Sequence, residues 1–107
     1  MVIVDKDSFE AEVTQNVLPV VADPWGPQCG PSITLMPDMG KLAASMAGKV
    51  KFCKLNVAEN RRMAIALKVM SVPAILFFKN GAETARLIGD AVNLEAIREQ
   101  AAMLIGR

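Results

Sequence analysis

The chain has 107 residues, with twelve Lys and Arg against eleven Asp and Glu and no histidine. This length fits one domain covering residues 1–107, and an apolar fraction of 52% is enough for a packed core. A net charge of +1, with its cations scattered along the chain, predicts no nucleic-acid binding. Without histidine there is no Cys–His or Ser–His catalytic pair, and no metal site is predicted.

The N-terminus is predicted to be a strand and not a targeting signal. Its apolar run, residues 1–4, is followed at once by Asp5, Lys6 and Asp7. A signal peptide needs a basic start and a longer apolar stretch. No segment reaches the roughly 18 consecutive apolar residues that a membrane span requires. We therefore expect a cytoplasmic protein that does not bind membranes.

The first elements alternate between strand and helix patterns. Val2–Val4 predicts a short strand. Asp7 or Ser8 is then predicted as the N-cap of a helix that carries Phe9 and Val13 on one face.

The next elements are a central strand and a long helix. The almost continuous apolar run LPVVAD, residues 18–23, is typical of a strand buried on both faces. Apolar residues then recur at helical spacing from Pro31 to about Met46, with Pro37 inside the helix, where it is expected to kink it. Gly48 is predicted to end this helix.

The second half predicts a strand over 49–57, a short helix over 60–69 and two strands joined at Asn80–Gly81, a strong hairpin signal. A closing helix carries an apolar stripe of Leu94, Ile97, Ala101 and Leu104 or Ile105. The order β-α-β-α-β-α-β-β-α implies an α/β fold, in which a mixed central β-sheet is flanked by helices on both faces.

This order of elements and the segment WGPQCGPS, residues 25–32, resemble the thioredoxin family over essentially the whole chain. The family carries W-C-G-P-C at the start of its second helix. Here Gln28 stands in place of the motif's second tryptophan and Ser32 in place of its second cysteine. Pro24 and the run GPQ before Cys29 also depart from the family pattern, and we expect them to alter the surface that meets partners.

Further matches lie outside the motif. The resemblance implies that Asp23 is the family's buried acid and that Lys54, after the third strand, faces it. It also implies that Val72–Pro73 is the family's cis-proline site. The remaining matches are Trp25, the first active-site tryptophan, Pro37, the helix-kinking proline, and Gly81 and Gly89, the glycines around the hairpin.

Cys29 is the candidate nucleophile. It precedes a helix, whose unpaired N–H groups and dipole stabilise an anion, and the thiolate is the reactive form of cysteine; thioredoxin is itself an established case of this effect. Gly30 and Pro31 make the turn into the helix. The alternative is an ordinary helix start with a buried thiol. The resemblance implies a substrate-binding set of Trp25, Gly30, Pro31, Val72, Pro73 and Gly89.

Asp23 and Pro73 each have a plainer alternative. A buried carboxylate is costly unless paired, and burial raises its pKa. The resemblance implies that Asp23 relays a proton for the second cysteine beside Lys54, whereas a solvated strand-end aspartate would only cap a loop. A proline at the first residue of a strand needs no function, but a cis-proline would place the Val72 backbone beside Cys29 to bind an extended substrate.

Cys53 is predicted to be a core residue. It lies mid-strand between Phe52 and Lys54, and free cysteine is among the most buried residue types. A disulfide with Cys29 would need Cα atoms within about 7 Å, which we do not expect across this sheet.

The resemblance implies a thiol–disulfide oxidoreductase in which Cys29 attacks target disulfides. With Ser32 as the second residue of the pair, resolution is expected to fail and the mixed disulfide to persist. The retained Asp23 favours Ser32 as an engineered replacement that traps mixed disulfides. A natural monothiol protein and a redox-inactive binding module are the alternatives. The expected partners are disulfide-containing proteins and thioredoxin reductase, with no cofactor, and the expected state is a monomer.

Overall fold

The computed structural model describes residues 1–105. Five strands are present: β1 Val2–Val4, β2 Val20–Trp25, β3 Lys51–Asn56, β4 Ala74–Lys79 and β5 Ala82–Ile88. Three α-helices accompany them: α1 Gly30–Ser45, α2 Arg61–Ala66 and α3 Leu94–Ile105. A π-helical turn, Glu10–Thr14, precedes β2, and a 3₁₀ turn, Gly89–Ala91, follows β5. None of the helices in residues 1–105 is long and apolar enough to cross a membrane.

The five strands form one mixed sheet in the order β1-β3-β2-β4-β5. β3 pairs in parallel with both β1 and β2, whereas β4 runs antiparallel to β2 and β5. The pairing of β2 with β3 runs from Val20 to Trp25, but its pairing with β4 ends at Ala22. The predicted element order and the mixed sheet are confirmed.

Two apolar cores cover the two faces of the sheet. On one face Val21, Phe52 and Phe77 pack under α1 and α3, through Met39 and Ile97 among others. On the other face Val20, Leu55 and Leu76 pack under the π-helical turn and α2. β2 is buried along almost its whole length, as its apolar run predicts. Each fully buried large side chain contributes about 1.5–3 kcal/mol of transfer free energy, so these two cores dominate folding.

The N-terminal helix prediction is wrong in its extent and its cap. The segment forms a single π-helical turn, Glu10–Thr14, whose N-cap is Phe9 without a side-chain hydrogen bond, so neither Asp7 nor Ser8 caps it. The Asp5 carboxylate accepts the Asp7 N–H at 2.8 Å and the Ser8 N–H at 3.0 Å. The Ser8 hydroxyl accepts the Asp5 N–H in return, at 3.0 Å. The backbone N–H groups of Asp7 and Ser8 lower the pKa of Asp5, because they stabilise its anion.

The other helices match the predicted pattern with small shifts. α1 begins at Gly30, one residue earlier than predicted, with Pro31 in its first turn and Pro37 inside it. On α3 the stripe ends with Leu104, which is 6% exposed, whereas Ile105 is 41% exposed. α2 is only six residues long, shorter than its pattern suggests.

The predicted hairpin joins β4 to β5 through a two-residue turn. Asn80 and Gly81 both have positive φ, 55° and 82°, as a type I′ turn requires. Lys79 pairs directly with Ala82 across the turn. Gly81 also packs against the π-helical turn, since a Cβ on Gly81 would lie 2.5 Å from the carbonyl oxygen of Thr14.

Gly81→Ala is expected to destabilise the protein more than its backbone angle alone explains. Gly48→Ala is the matched control, because Gly48 has φ +84° and nothing within 4 Å of its Cβ position. Gly48→Ala should cost about 1–2 kcal/mol for the left-handed conformation. Gly81→Ala should cost about 1–3 kcal/mol more for the clash with Thr14. Urea unfolding of both variants measures the difference, and equal losses would contradict the packing between the hairpin and the π-helical turn.

Candidate active site

Cys29 occupies the N-cap position of α1 with an extended backbone, φ −99° and ψ 103°. Two backbone bonds hold it there: its N–H donates to the Gly26 carbonyl at 3.0 Å, and the Ile33 N–H donates to the Cys29 carbonyl at 3.1 Å. The side chain is partly exposed. The N–H groups of Gly30 and Ser32 belong to the first turn, where helical N–H groups have no intrahelical partner. A thiolate on Cys29 would therefore meet the positive end of α1.

Ser32 lies one turn into α1, on the helix face of Cys29. It is 2% exposed, and its Oγ has no hydrogen-bond partner among the described residues. A buried hydroxyl without a partner is unusual, since burial normally requires a hydrogen bond. The hydroxyl of Ser32 is therefore enclosed at the start of α1.

Asp23 is buried in β2, with 3% of its surface exposed and no partner for Oδ2 among residues 1–105. Burial raises the pKa of this carboxyl to about 7, against the opposing charge of Lys54. Burial of Asp23 is thus as predicted, and a solvated loop cap is not what the structure has. The carboxyl also lies on the α1 side of the sheet. Asp23 is two residues after Val21 on the same strand, so the two side chains share one face.

Lys54 is the registered neighbour of Asp23, but it is not an ion-pair partner. It lies within β3, not after it, and pairs with Asp23 across the parallel ladder. No described cation lies within 4 Å of the Asp23 carboxylate. A lysine has a long and flexible stem, so register alone does not bring its charge to a buried carboxyl.

The Val72–Pro73 peptide bond is cis, as the resemblance implies. Val72 lines a cavity of about 370 Å³ together with Cys29 and Gly26. Pro73 lines a neighbouring groove of about 520 Å³ with Gly30 and Pro31. The structure therefore brings the candidate nucleophile, the helix start and the cis-proline segment to one end of the sheet.

Gly89 and Trp25 support this end from two sides. The Gly89 N–H donates to the Pro73 carbonyl at 3.0 Å, which ties the 3₁₀ turn to the cis-proline segment. Trp25 ends β2 and is partly buried, and its carbonyl accepts the Val57 N–H at 2.9 Å. Sequence reasoning did not single out Ala58, which follows β3 and lines the Cys29 cavity. The only signal for it is its position just after a central strand.

Cys53 has no part in this site. It is fully buried on the sheet face opposite Asp23, within the core under α2, and both cysteines are free thiols. Burial raises the pKa of its thiol to about 12, so it stays protonated and unreactive. The predicted core role and the absence of a Cys29–Cys53 disulfide are confirmed.

Fold and site together define a class of α/β protein that presents a cysteine at the start of a helix, opposite a cis-proline segment. The chain belongs to the thioredoxin family, whose profile matches residues 1–102. It is similar to the thioredoxin of Peptoclostridium acidaminophilum, with 37% identity over 106 residues that cover 99% of this chain and 96% of the relative. The thioredoxin of Acetoanaerobium sticklandii is 38% identical over 96 residues, covering 87% and 91%. A pea chloroplastic M-type thioredoxin is 38% identical over 87 residues, covering 81% of this chain and 51% of the relative. The resemblance seen in the sequence is confirmed.

Proposed function

We propose that the protein is a thiol–disulfide oxidoreductase of the thioredoxin type that reacts through Cys29 alone. One observation carries this proposal: the accessible thiol at the start of α1 is followed one turn later by the buried hydroxyl of Ser32. The helix start supports attack by a thiolate. No second thiol is available nearby, because the other cysteine is buried on the opposite face of the sheet.

The proposed step is a single thiol–disulfide exchange. The Cys29 thiolate attacks one sulfur of a target disulfide, so a new S–S bond joins Cys29 to the target while the target's own S–S bond breaks. The second target sulfur leaves as a thiolate and takes a proton from solvent. The product is a covalent mixed disulfide. It is released only when an external thiol attacks it, since the neutral hydroxyl of Ser32 is a far weaker nucleophile than a thiolate.

The surrounding residues have proposed supporting roles. The Val72 backbone binds the target as an added extended segment, and Gly30, Pro31 and Gly89 shape the surface around it. Asp23, whose pKa burial raises to about 7, exchanges a proton near neutral pH. The charge of Lys54 lowers the pKa of the Asp23 carboxyl and so opposes part of the effect of burial.

The proposed partners are disulfide-containing proteins and thioredoxin reductase, and the protein is proposed to be a cytoplasmic monomer. The engineered origin of Ser32 stays a prediction, and the chemistry does not depend on it.

Reduced protein mixed with insulin is expected to give a covalent adduct on Cys29 that persists without added thiol. The reason is that Ser32 cannot complete the second exchange. Non-reducing electrophoresis and peptide mass mapping detect the adduct and locate it, and dithiothreitol should release it. Cys53 should remain unmodified because it is buried.

The matched control is Cys29→Ser, which should give no adduct. A wild-type chain that forms no adduct, or one whose adduct releases reduced insulin without an external thiol, would overturn the proposal. A redox-inactive binding module predicts instead that partner binding survives in Cys29→Ala. A glutathione-linked monothiol exchanger predicts rapid formation of a glutathione adduct on Cys29.

A further inference from the structure

Two cavities meet beside Cys29. The first, the Cys29 pocket, is lined by Gly26, Pro27, Gln28, Cys29, Ala58 and Val72. The second, the α2 pocket, measures about 390 Å³, and its lining residues include Val57, Arg61, Ile65, Met70 and Val72. Val72 lines both cavities, so the α2 pocket continues the surface on which Cys29 lies.

Gly26 forms the junction between the two pockets. The point where a Cβ on Gly26 would stand lies 3.8 Å from the Cβ of Cys29, 3.4 Å from Val72 Cγ2 and 3.8 Å from Val57 Cγ2. Three side chains thus surround a space that any other residue would fill. The Val57 N–H donates to the Trp25 carbonyl at 2.9 Å, which holds this wall in place. Gly26 lines the Cys29 pocket, and a side chain at position 26 would stand between that pocket and Val57, which lines the α2 pocket.

The α2 pocket is apolar inside and positively charged at its rim. Ile65 is 73% exposed and Met70 is 91% exposed, so large apolar side chains stand uncovered around it. Arg61 is the charged residue of its lining, and no described carboxylate lies within 4 Å of it. Arg62 and Lys68 lie in the same stretch, residues 59–70, which holds one acid, Glu59, but they do not line the pocket. The charge of Arg61 is complementary to an acidic partner segment.

We propose that the Cys29 pocket and the α2 pocket form one groove that selects disulfide-containing polypeptides in which a large apolar residue and an acidic residue lie beside the reacting cysteine. This inference rests on the function proposed above. An extended chain advances about 3.3 Å per residue, so a neighbour of the target cysteine reaches across Gly26 into the α2 pocket. Its apolar side chain is buried against Ile65 and Met70, and the acid pairs with Arg61.

Short peptides carrying one cysteine as a mixed disulfide with 2-thiopyridine test the groove. The Cys29 thiolate attacks the peptide sulfur, a Cys29–peptide disulfide forms, and the thiopyridine sulfur leaves as the protonated thiopyridone, whose absorbance reports the rate. Four peptides place Leu-Asp, Ala-Asp, Leu-Lys or Ala-Lys beside the cysteine, and each is made in both chain directions. We expect the Leu-Asp peptide to react roughly tenfold faster than the Ala-Lys peptide in one direction.

Two variants separate the contributions of charge and shape. Arg61→Glu should reverse the preference for Asp over Lys, whereas Lys49→Glu, a charge reversal in the segment between α1 and β3, should not change it. Gly26→Ala should bring the Leu-to-Ala ratio close to one, because its methyl group closes the junction. Gly40→Ala is the matched control, since nothing lies within 4 Å of its Cβ position.

The outcomes distinguish this inference from the proposed function. Reaction of Cys29 with all four peptides at equal rates, or ratios that neither Arg61→Glu nor Gly26→Ala changes, would overturn the groove and leave the exchange chemistry standing. Failure of Cys29 to react with any peptide, and with 2,2′-dipyridyl disulfide alone, would overturn the proposed function itself.

Discussion

Ser32→Cys is expected to change the protein from a trap that stops at a mixed disulfide with its target into a catalyst that reduces disulfides repeatedly. Position 32 lies one helical turn from Cys29 on the same face, and such pairs have Cβ atoms about 5–6 Å apart. Disulfides form between cysteines whose Cα atoms are about 4.4–6.8 Å apart. The new thiol at position 32 would attack Cys29 in the mixed disulfide and release the target as a thiol. The resulting disulfide, between Cys29 and the introduced thiol, would then be reduced by an external dithiol.

Insulin reduction in the presence of dithiothreitol, followed by turbidity, measures the change. The chain with Ser32 depends on dithiothreitol to release each mixed disulfide, so it should exceed the background rate of dithiothreitol only slightly, whereas Ser32→Cys should exceed it many-fold. Ser32→Ala is the control, because it removes the hydroxyl without adding a thiol and should behave like the wild type. A Ser32→Cys variant that folds but shows no turnover would mean that the scaffold does not support dithiol exchange.

Asp23→Asn is expected to stabilise the protein above pH 7 and to have little effect below pH 4. Burial raises the pKa of Asp23 from 3.8 to about 7 in the folded state. The folded state therefore binds one more proton than the unfolded state between these two values. Since stability falls with pH where the folded state holds the extra proton, Asp23 lowers the free energy of unfolding progressively from about pH 4 to about pH 7. The full penalty above pH 7 is about 4 kcal/mol.

Urea unfolding of wild type and Asp23→Asn at several pH values between 4 and 8 measures this effect. The two curves should coincide near pH 4 and diverge as the pH rises, because asparagine stays neutral as the protonated carboxyl does. Asp5→Asn provides a control of opposite sign. Its pKa is lowered in the folded state, so this substitution should destabilise above pH 4 and lose its effect in more acidic solution. A gap between wild type and Asp23→Asn that is constant with pH would refute a buried titrating carboxyl.

Individual elements of the fold were predictable where a short stretch of sequence carried one strong physical signal. The run LPVVAD predicts β2 because only a strand covered on both faces buries so many consecutive apolar residues. Asn80–Gly81 predicts the hairpin because both residues tolerate positive φ. The N-terminal turn was harder to predict, since Asp7 and Ser8 are residue types that favour N-caps. Their N–H groups instead donate to the Asp5 carboxylate, and the π-helical turn begins beyond them with Phe9 as its N-cap.

The residues of the candidate site were predictable from the sequence. The contacts between their side chains were harder to predict. The motif places Cys29 and Ser32 at the start of α1, and the apolar run before Asp23 predicts that its carboxyl is buried. Whether Lys54 reaches that carboxyl depends on side-chain conformation, which the sequence does not encode locally. The junction at Gly26 arises from segments that are distant in the chain, since Val57 and Val72 approach it only after folding.

Pro24 lies just beyond the point where the central strand β2 loses its pairing with β4. It lies in the middle of the sheet, where proline is normally excluded because it has no N–H for the ladder. β2 continues beside β3 through this position, but its pairing with β4 has already ended at Ala22. The central strand β2 thus loses its pairing with β4 before it ends, and β2 and β4 separate from that point on. The first residues of β4 keep β5 on one side and present an internal edge on the other. The protein thereby gains a strand edge within its own sheet, at which the backbone groups of β4 pair with no neighbouring strand.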